Sequence, residues 1–403
     1  MAGDGEGLPT LGVEEEYFLV DPVTQRVRPA GDEVVAAAAA AGHGSTVTGE
    51  FTLYQVEGRT RPCTGLAELR ADLAAVRRAA AEAARAAGVR LCASGTPVLG
   101  RAAPDAVGDH PRYRAGQAQY RGMIEDFGIC AQHVHVHCSD REQAVLVGNH
   151  LRPWLPTLVA LSANSPYHQG RSTGYASWRS VMRLRFPCLG PPPYAASLAE
   201  WERTARVIAA AEAMLDPAMP FWDVRPNPKL PTVEIRCMDV VAELDDAVAL
   251  AALVRALVRV SVQAVRGGDP GPPVAAEEVR AAYWKAARDG VAGTGVDLRD
   301  GRVRTAGELA FQLLEHAREP LEEAGELGFV RARIAGIVGA AGAPAAGIPG
   351  RGGAEAQRLA AAGPDGLKGA VRWLVETTRR PGGEEAGEAG ASPVTERLTD
   401  RRR

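Results

Sequence analysis

Leu11-Gly12-Val13-Glu14-Glu15-Glu16-Tyr17-Phe18-Leu19-Val20 sets three consecutive carboxylates inside an otherwise apolar run. Leu11, Val13, Tyr17 and Leu19 alternate with their neighbours, which is the pattern of a β-strand. Asp21-Pro22 ends it as a turn. With a period of two, Glu14 and Glu16 share one face and Glu15 points to the other. A solvated acidic face is the ordinary reading of such a triplet. The flanking Leu, Val, Tyr and Phe argue instead for burial on both sides. Two buried carboxylates side by side repel each other unless a cation sits between them, and hard oxygen ligands at this spacing suit Mg²⁺ or Mn²⁺.

Three further segments aim polar groups in the same way. Tyr54-Gln55-Val56-Glu57 brings Gln55 and Glu57 to one face, a pattern that an edge strand also gives. In Gln132-His133-Val134-His135-Val136-His137, the alternation puts His133, His135 and His137 on one face and the valines on the other. Two chemistries fit that stripe: a zinc site completed by water, or a mixed His and Glu site for Mg²⁺ and phosphate oxygens. In Pro231-Thr232-Val233-Glu234-Ile235-Arg236, Thr232, Glu234 and Arg236 share a face. The pair Glu234 and Arg236 reads as an ion pair or as a phosphate-binding group, because the planar guanidinium makes two parallel hydrogen bonds. Arg225, in Trp222-Asp223-Val224-Arg225-Pro226, and Arg179, beyond the polar loop Ser172 to Ser177, add cationic candidates. There is no GxxxxGK[ST] and no Gly-x-Ser-x-Gly. A nucleotide would therefore have its phosphates held by metals and arginines.

The rest of the chain bounds the answer. It has 403 residues, 46% hydrophobic and 24% charged, an ordinary globular composition. The formal net charge of −3 argues against a coat for nucleic acid or an anionic membrane. The weakly polar runs Val34 to Ala41 and Ala247 to Val265 are Ala-rich or broken by Asp and Arg, so no membrane span is expected. Met1 to Pro9 lacks the basic start and apolar core of a signal peptide. Six cysteines without a Cys-x-x-Cys pair predict reduced thiols in a cytoplasmic protein. Helices are expected over Glu33–Ala41, Thr64–Ala87 (Thr64 as N-cap, Gly88 as stop), Arg112–Phe127, Asp140–Ala163 with a break around Pro153 and Pro156, Ala195–Leu215, and Leu244–Arg266 as a core helix. Strands are expected over Phe51–Glu57, Val89–Ser94, Gln132–Cys138 and Thr232–Met238, with Phe221–Pro231 irregular. Residues 275–378 alternate helices with Gly-rich loops, and 381–403 lack apolar periodicity, as a disordered tail does.

Taken in order, these pieces resemble the carboxylate-amine ligases of glutamate–cysteine ligase type 2, the YbdK-like group. The resemblance runs over about residues 10 to 335. It rests on Leu11 to Tyr17 with Asp21-Pro22, Gln55-Val56-Glu57, Arg112-Tyr113, His133 to Val136, Leu161-Ser162-Ala163-Asn164-Ser165-Pro166, Thr173-Gly174-Tyr175-Ala176-Ser177, Trp222 to Pro226 and Pro231 to Arg236. It implies an α+β, glutamine-synthetase-like catalytic fold, with a curved antiparallel sheet flanked by helices, over residues 1–380. It also implies ATP-dependent joining of glutamate's γ-carboxylate, by way of an acyl phosphate, to an amine such as L-cysteine. Carried over by motif, Glu14, Glu16, Glu57, His133 and Glu234 become metal ligands for Mg²⁺ or Mn²⁺. Arg236 meets the ATP phosphates, and Arg225 and Arg179 meet a phosphate or the substrate carboxylate. The partners implied are small molecules, with no nucleic acid or membrane and with a homo-oligomer open. This chain departs from the family at Gly95-Thr96-Pro97, which lacks the histidine of Gly-Thr-His-Pro. It departs also at His137, where a glycine is usual, and over Gly339 to Arg358, a longer Gly, Ala and Pro segment. Two other readings stand beside this one: a zinc hydrolase using His133, His135 and His137, and a non-catalytic relative that binds metal or nucleotide.

Overall fold

Seven strands make one antiparallel sheet: β1 (Leu11–Val20), β2 (Val47–Gly49), β3 (Gln55–Arg59), β4 (Arg90–Cys92), β5 (Ala131–His137), β6 (Val224–Pro226) and β7 (Thr232–Asp239). Their order is β6-β7-β5-β1-β3-β2, with β4 also paired to β1. The computed structural model describes residues 8–101, 107–108, 110–339 and 352–380; the expected tail at 381–403 lies outside them. β1 is central because it is long. Its first half pairs with β5 and its last residues, Phe18–Val20, pair with β4, while β3 occupies the other edge. Helices flank the sheet, as an α+β architecture of this kind requires.

Register does what sequence spacing cannot. Glu14 lies opposite His133 on one side and Arg59 on the other. Glu16 lies opposite Glu57, and Glu234 lies opposite both His135 and Arg225. Directly opposed residues of an antiparallel pair point to the same face. One face of the sheet therefore collects acidic, imidazole and guanidinium groups from five strands.

The opposite face is apolar. Val13, Val134, Val136, Val233 and Ile235 pack into one core with the Leu244–Arg266 helix. That helix is long and apolar enough to cross a membrane by length and composition, but Ala247 to Val258 are all buried in this core. It fills the role of a core helix. Its Arg255 is buried with it, bonded through Nη2 to both oxygens of Glu326 at 2.5 and 2.6 Å. Glu15 points to this face, as its parity dictates. It meets Arg77 of the Leu66–Ala86 helix at 2.6 and 2.8 Å and accepts the Tyr17 hydroxyl at 2.5 Å. Arg77 also donates to the carbonyls of Val241 and Ala242.

A second core gathers Tyr17, Phe18, Leu19 and Leu91 under the Leu66–Ala86 and Leu367–Arg379 helices. There the Ala93 amide donates to Thr378 Oγ1 at 3.1 Å. The preceding helix, Gly353–Ala361, docks through Gln357, whose Nε2 donates to the Asn164 carbonyl and to Asn164 Oδ1 at 2.9 and 2.7 Å. The altered segment Gly339 to Arg358 lies mostly outside the described residues, but its end forms this helix.

Several expectations shift. The strand expected over Phe51–Glu57 begins only at Gln55, because the Leu53 carbonyl turns away to accept the Ala30 and Gly31 amides at the start of the Gly31–Ala40 helix. Thr64 is not the side-chain cap of its helix. Glu68 instead reaches back to the Thr64 amide and hydroxyl at 2.8 and 3.0 Å. The long helical region breaks as Pro153 requires, into Arg141–Leu151 and Leu155–Ser162. The stretch read as irregular contains β6. Pro226 ends that edge strand, and Asn227 Oδ1 accepts the Lys229 and Leu230 amides to turn the chain into β7, an Asx turn.

Candidate active site

The polar face is shaped by an irregularity in β7. Ile235 pairs with Val134, but Met238 pairs with Gln132, so one extra residue is accommodated opposite His133. Such a bulge changes the phase of a strand and re-aims its side chains. Here it lets Ile235 and Met238 both enter the apolar core while Glu234 and Arg236 face the site. Arg179 holds the bulge. Fully buried, it donates Nη2 to the Arg236 carbonyl at 3.0 Å and Nη1 to the Cys237 carbonyl at 3.1 Å, with Asp239 3.7 Å away. Asp239 in turn accepts Ser165 and Ser177 hydroxyls at 2.6 and 2.9 Å and the Asn164 amide at 3.0 Å. A Cβ at Gly95 would meet Asp239 Oδ2 at 2.7 Å, so this position is closed to larger residues. The departure at Gly95-Thr96-Pro97 thus falls on this buried network. Arg179→Lys keeps the charge beside Asp239 but cannot span both carbonyls, and is expected to cost about 1–2 kcal/mol. Urea unfolding measures it, and an unchanged midpoint would remove this role.

Three overlapping groups of ligand atoms lie on the polar face, each within 4.8 Å: Glu14, Glu57 and His133; Glu14, His135 and Glu234; and Glu16, Glu50 and Glu57. All five residues expected as metal ligands are brought together. Two were missed. Glu50 precedes β3 in a segment without periodicity, so nothing in the sequence signals it. His135 entered only through the zinc reading, although its strand parity with His133 was the available clue. His137 belongs to none of these groups, and no group among the described residues contains two histidines.

The electrostatics divide the site in two. Burial raises Glu14, but hydrogen bonds from His133 and His135 outweigh it and hold its carboxyl well below the usual range. The Glu14 Oε2 atom lies 3.5 Å from His133 Nδ1 and 3.4 Å from His135 Nε2. Burial, then the neighbouring Arg236, pushes His133 down to about 3. The second group behaves oppositely. Burial, only partly offset by Arg179, pushes Glu16 up to about 7. Burial and the Glu16 carboxylate push Glu50 up to about 8. Glu57 is raised by burial and then by Glu14 and Glu50. These three carboxylates repel one another, and among the described residues no arginine forms a close pair with Glu16.

Glu234 is compensated already. Burial raises it, but Arg236 and Arg225 bring it well below the ordinary carboxylate range. Arg225 binds it with two bonds, at 2.9 and 3.1 Å, and donates its Nη1 to the Pro220 carbonyl. Asn227 and Arg236 Nη1 also bond Glu234. Arg225 was expected at a phosphate or substrate carboxylate. The structure places it behind Glu234 with these donors engaged, and it does not line the cavity. Arg236 and Arg179 do line it, each with a buried Nε that has no partner among the described residues.

The cavity, about 170 Å³, has a polar end at Glu16, Glu50, His133, Arg179 and Arg236. The rest of its wall is largely aromatic, with Phe51, Tyr113, Tyr120, Phe127, Phe186 and Phe221, and carries Arg112 and Arg183 beside Phe221. A few charged groups set into a largely apolar cavity are the usual form of a small-molecule site.

The sequence profile of "Glutamate-cysteine ligase family 2(GCS2)" matches residues 10–346. A chain of Saccharopolyspora erythraea named "Putative glutamate--cysteine ligase 2-1" is 43% identical over 328 residues, 81% of this chain and 86% of that one. One of Salinispora arenicola with the name "Putative glutamate--cysteine ligase 2" is 43% identical over 339 residues, 83% of this chain and 89% of that one. Among solved structures, the glutamate–cysteine ligase of Francisella tularensis in complex with AMP shares the fold. Its TM-score is 0.64 at 12% identity, covering 94% of this chain and 90% of that one. With its ordered motifs joined on one sheet face and matched along most of their length, this chain belongs to glutamate–cysteine ligase family 2.

Proposed function

We propose that the protein is an ATP-dependent carboxylate–amine ligase that activates the γ-carboxylate of L-glutamate and joins it to an amine such as L-cysteine. The observation that carries this reading is the set of three overlapping carboxylate and imidazole groups beside Arg236, at the polar end of a cavity. The balance is simple. A γ-carboxylate oxygen attacks the terminal phosphorus of ATP, releasing ADP and leaving an acyl phosphate. The amine nitrogen then attacks the acyl carbon, phosphate leaves, and the amine gives up a proton.

The donor set fits Mg²⁺ or Mn²⁺. It is oxygen-rich, its carboxylates raise one another's pKa, and the buried His133 Nε2 and His135 Nε2 have only carboxylates near them among the described residues, Glu16 at 3.7 Å and Glu14 at 3.4 Å. Glu14, Glu16, Glu57, His133 and Glu234, with Glu50 and His135, would hold the ions. Glu234 would do so by sharing the carboxylate that now binds Arg236. Bound there, divalent ions would supply neutralisation of phosphate charge. Arg236 offers its unpartnered Nε to a phosphoryl oxygen. Arg179 fixes Arg236 through the bulge, and Arg225 orients Glu234. The aromatic wall of the cavity excludes water and receives the amine. The mixed groups favour this over a three-histidine zinc site, for which His137 would have to join His133 and His135. Six free, buried cysteines suit a reducing, cytoplasmic setting.

The test is phosphate release from ATP with Mg²⁺ and L-glutamate, with and without L-cysteine. Release that requires glutamate and rises with the amine is expected. No release with any combination would sink the ligase reading.

A pH test comes from the raised carboxylates. An unfolded Glu titrates near 4.5, whereas Glu16 and Glu50 hold their protons to about 7 and about 8 in the folded chain. As pH rises through that range, the unfolded chain has already released protons that the folded one retains, so stability falls. Each group still protonated contributes a loss of about 1.4 kcal/mol per pH unit. Below pH 6.5 the neutral, buried His133 works in the other direction, so pH 6.5 to 8 isolates the carboxylates. The chelator-treated protein is expected to lose Tm across that window, and Mg²⁺ to restore it most at pH 8. A flat profile in both conditions would remove the carboxylate repulsion.

A further inference from the structure

Six arginines of the described chain are buried: Arg77, Arg152, Arg179, Arg183, Arg225 and Arg255. Five have a carboxylate within ion-pair distance, in Glu15, Asp239, Asp223, Glu234 and Glu326. Arg152 has none among the described residues. Its Nε donates to the Pro192 carbonyl at 3.0 Å, and its Nη1 is buried without an acceptor among the described residues. It comes directly after the Arg141–Leu151 helix, whose C-terminal carbonyls offer only a fractional negative charge. A guanidinium left without a counter-charge in the interior is strongly unfavourable. An anion entering from outside the chain would meet that deficit.

Space to meet it is present. Arg152 lines a second cavity, about 440 Å³, on the far side of Phe186 and Leu189, which also line the catalytic cavity. Most of its lining is apolar, with Pro193, Ile208 and Trp222 among it, and no Asp or Glu of the described residues lines it. Two more arginines line it. Arg185 is paired with Asp126 at 2.9 Å, and Arg280 is exposed.

We propose that this cavity binds a carboxylate carried on an apolar body, with the carboxylate on Arg152 and the body against the Pro193, Ile208 and Trp222 walls. A carboxylate matches the single charge and planar fork of one inward guanidinium. The apolar walls account for the remainder of the ligand, which inorganic anions lack. The site is separate from the ligase centre and does not depend on the reaction proposed there.

The test is calorimetric titration of the full chain at constant ionic strength, with 3-phenylpropionate as the probe and acetate and inorganic phosphate as comparisons. 3-Phenylpropionate is expected to bind, and both comparisons to bind about tenfold more weakly or less. Arg152→Gln is expected to weaken 3-phenylpropionate binding by about 30-fold or more. Should that variant fail to fold, Ile208→Trp carries the same test, because it narrows the apolar wall beside Trp222 that would hold the body of the ligand and leaves Arg152 in place; it too is expected to weaken binding. Three results would overturn the proposal: no binding of 3-phenylpropionate by the native chain, acetate or phosphate binding as tightly, or undiminished binding by Ile208→Trp.

Discussion

Glu14→Gln is expected to lower glutamate-dependent phosphate release by about 100- to 1,000-fold without unfolding the protein. Glu14 belongs to two of the three ligand groups, so its charge is used twice. Glutamine keeps the shape and one oxygen acceptor for the His133 and His135 rings, but it removes the charge that a divalent ion and those imidazoles share. Steady-state kinetics with saturating ATP, Mg²⁺ and glutamate measure the loss, and a melting curve checks the fold. Native turnover in a folded variant would take Glu14 out of the site.

One residue along, the expectation reverses. Arg77→Met is expected to destabilise the protein by about 3–5 kcal/mol, because it strands a buried charge. The Glu15 side chain is wholly buried and that of Arg77 is 3% exposed. Among the described residues, Glu15 then keeps the Tyr17 hydroxyl as its one side-chain partner. The double variant Arg77→Met with Glu15→Leu is expected to recover a large part of the loss, since apolar replacement of a whole buried pair is often close to neutral. Urea unfolding of both variants measures this. Equal destabilisation in the single and double variants would show that the ion pair is not the cause. Neighbouring carboxylates in one strand thus answer to different assays, Glu14 to turnover and Glu15 to stability.

That division was legible in the sequence, because it needs only the two-residue period of a strand. The same period placed His133, Glu57, Glu234 and Arg236 on polar faces. Which of them meet is a matter of register, and no local pattern states that Glu14 stands opposite His133. Glu50 escaped notice because it sits in a non-repeating connection and gains its place from the turn that delays β3. The bulge was invisible for a related reason. Alternation simply continues through Ile235, Arg236 and Cys237, and the extra residue shows only in the pairing with β5 and in the two carbonyls held by Arg179. Arg225 sat in a Pro-rich stretch that hid an edge strand, and its bond to Glu234 depends on the hairpin which that strand makes. The long helices were easier, since an apolar stripe and a glycine stop are local features.

The match to the family ends at residue 346, whereas the flank of the sheet is closed by residues C-terminal to that point. Gln357 reaches back to Asn164, Thr378 receives the Ala93 amide, and Val371 and Leu374 share a core with Leu19 and Leu91. The matched profile and the cooperatively packed unit therefore have different borders in this chain. Shortening it to the matched portion would keep every proposed ligand and leave the β4 side bare, and a relative with an unrelated C-terminal sequence must seal the same flank with different residues.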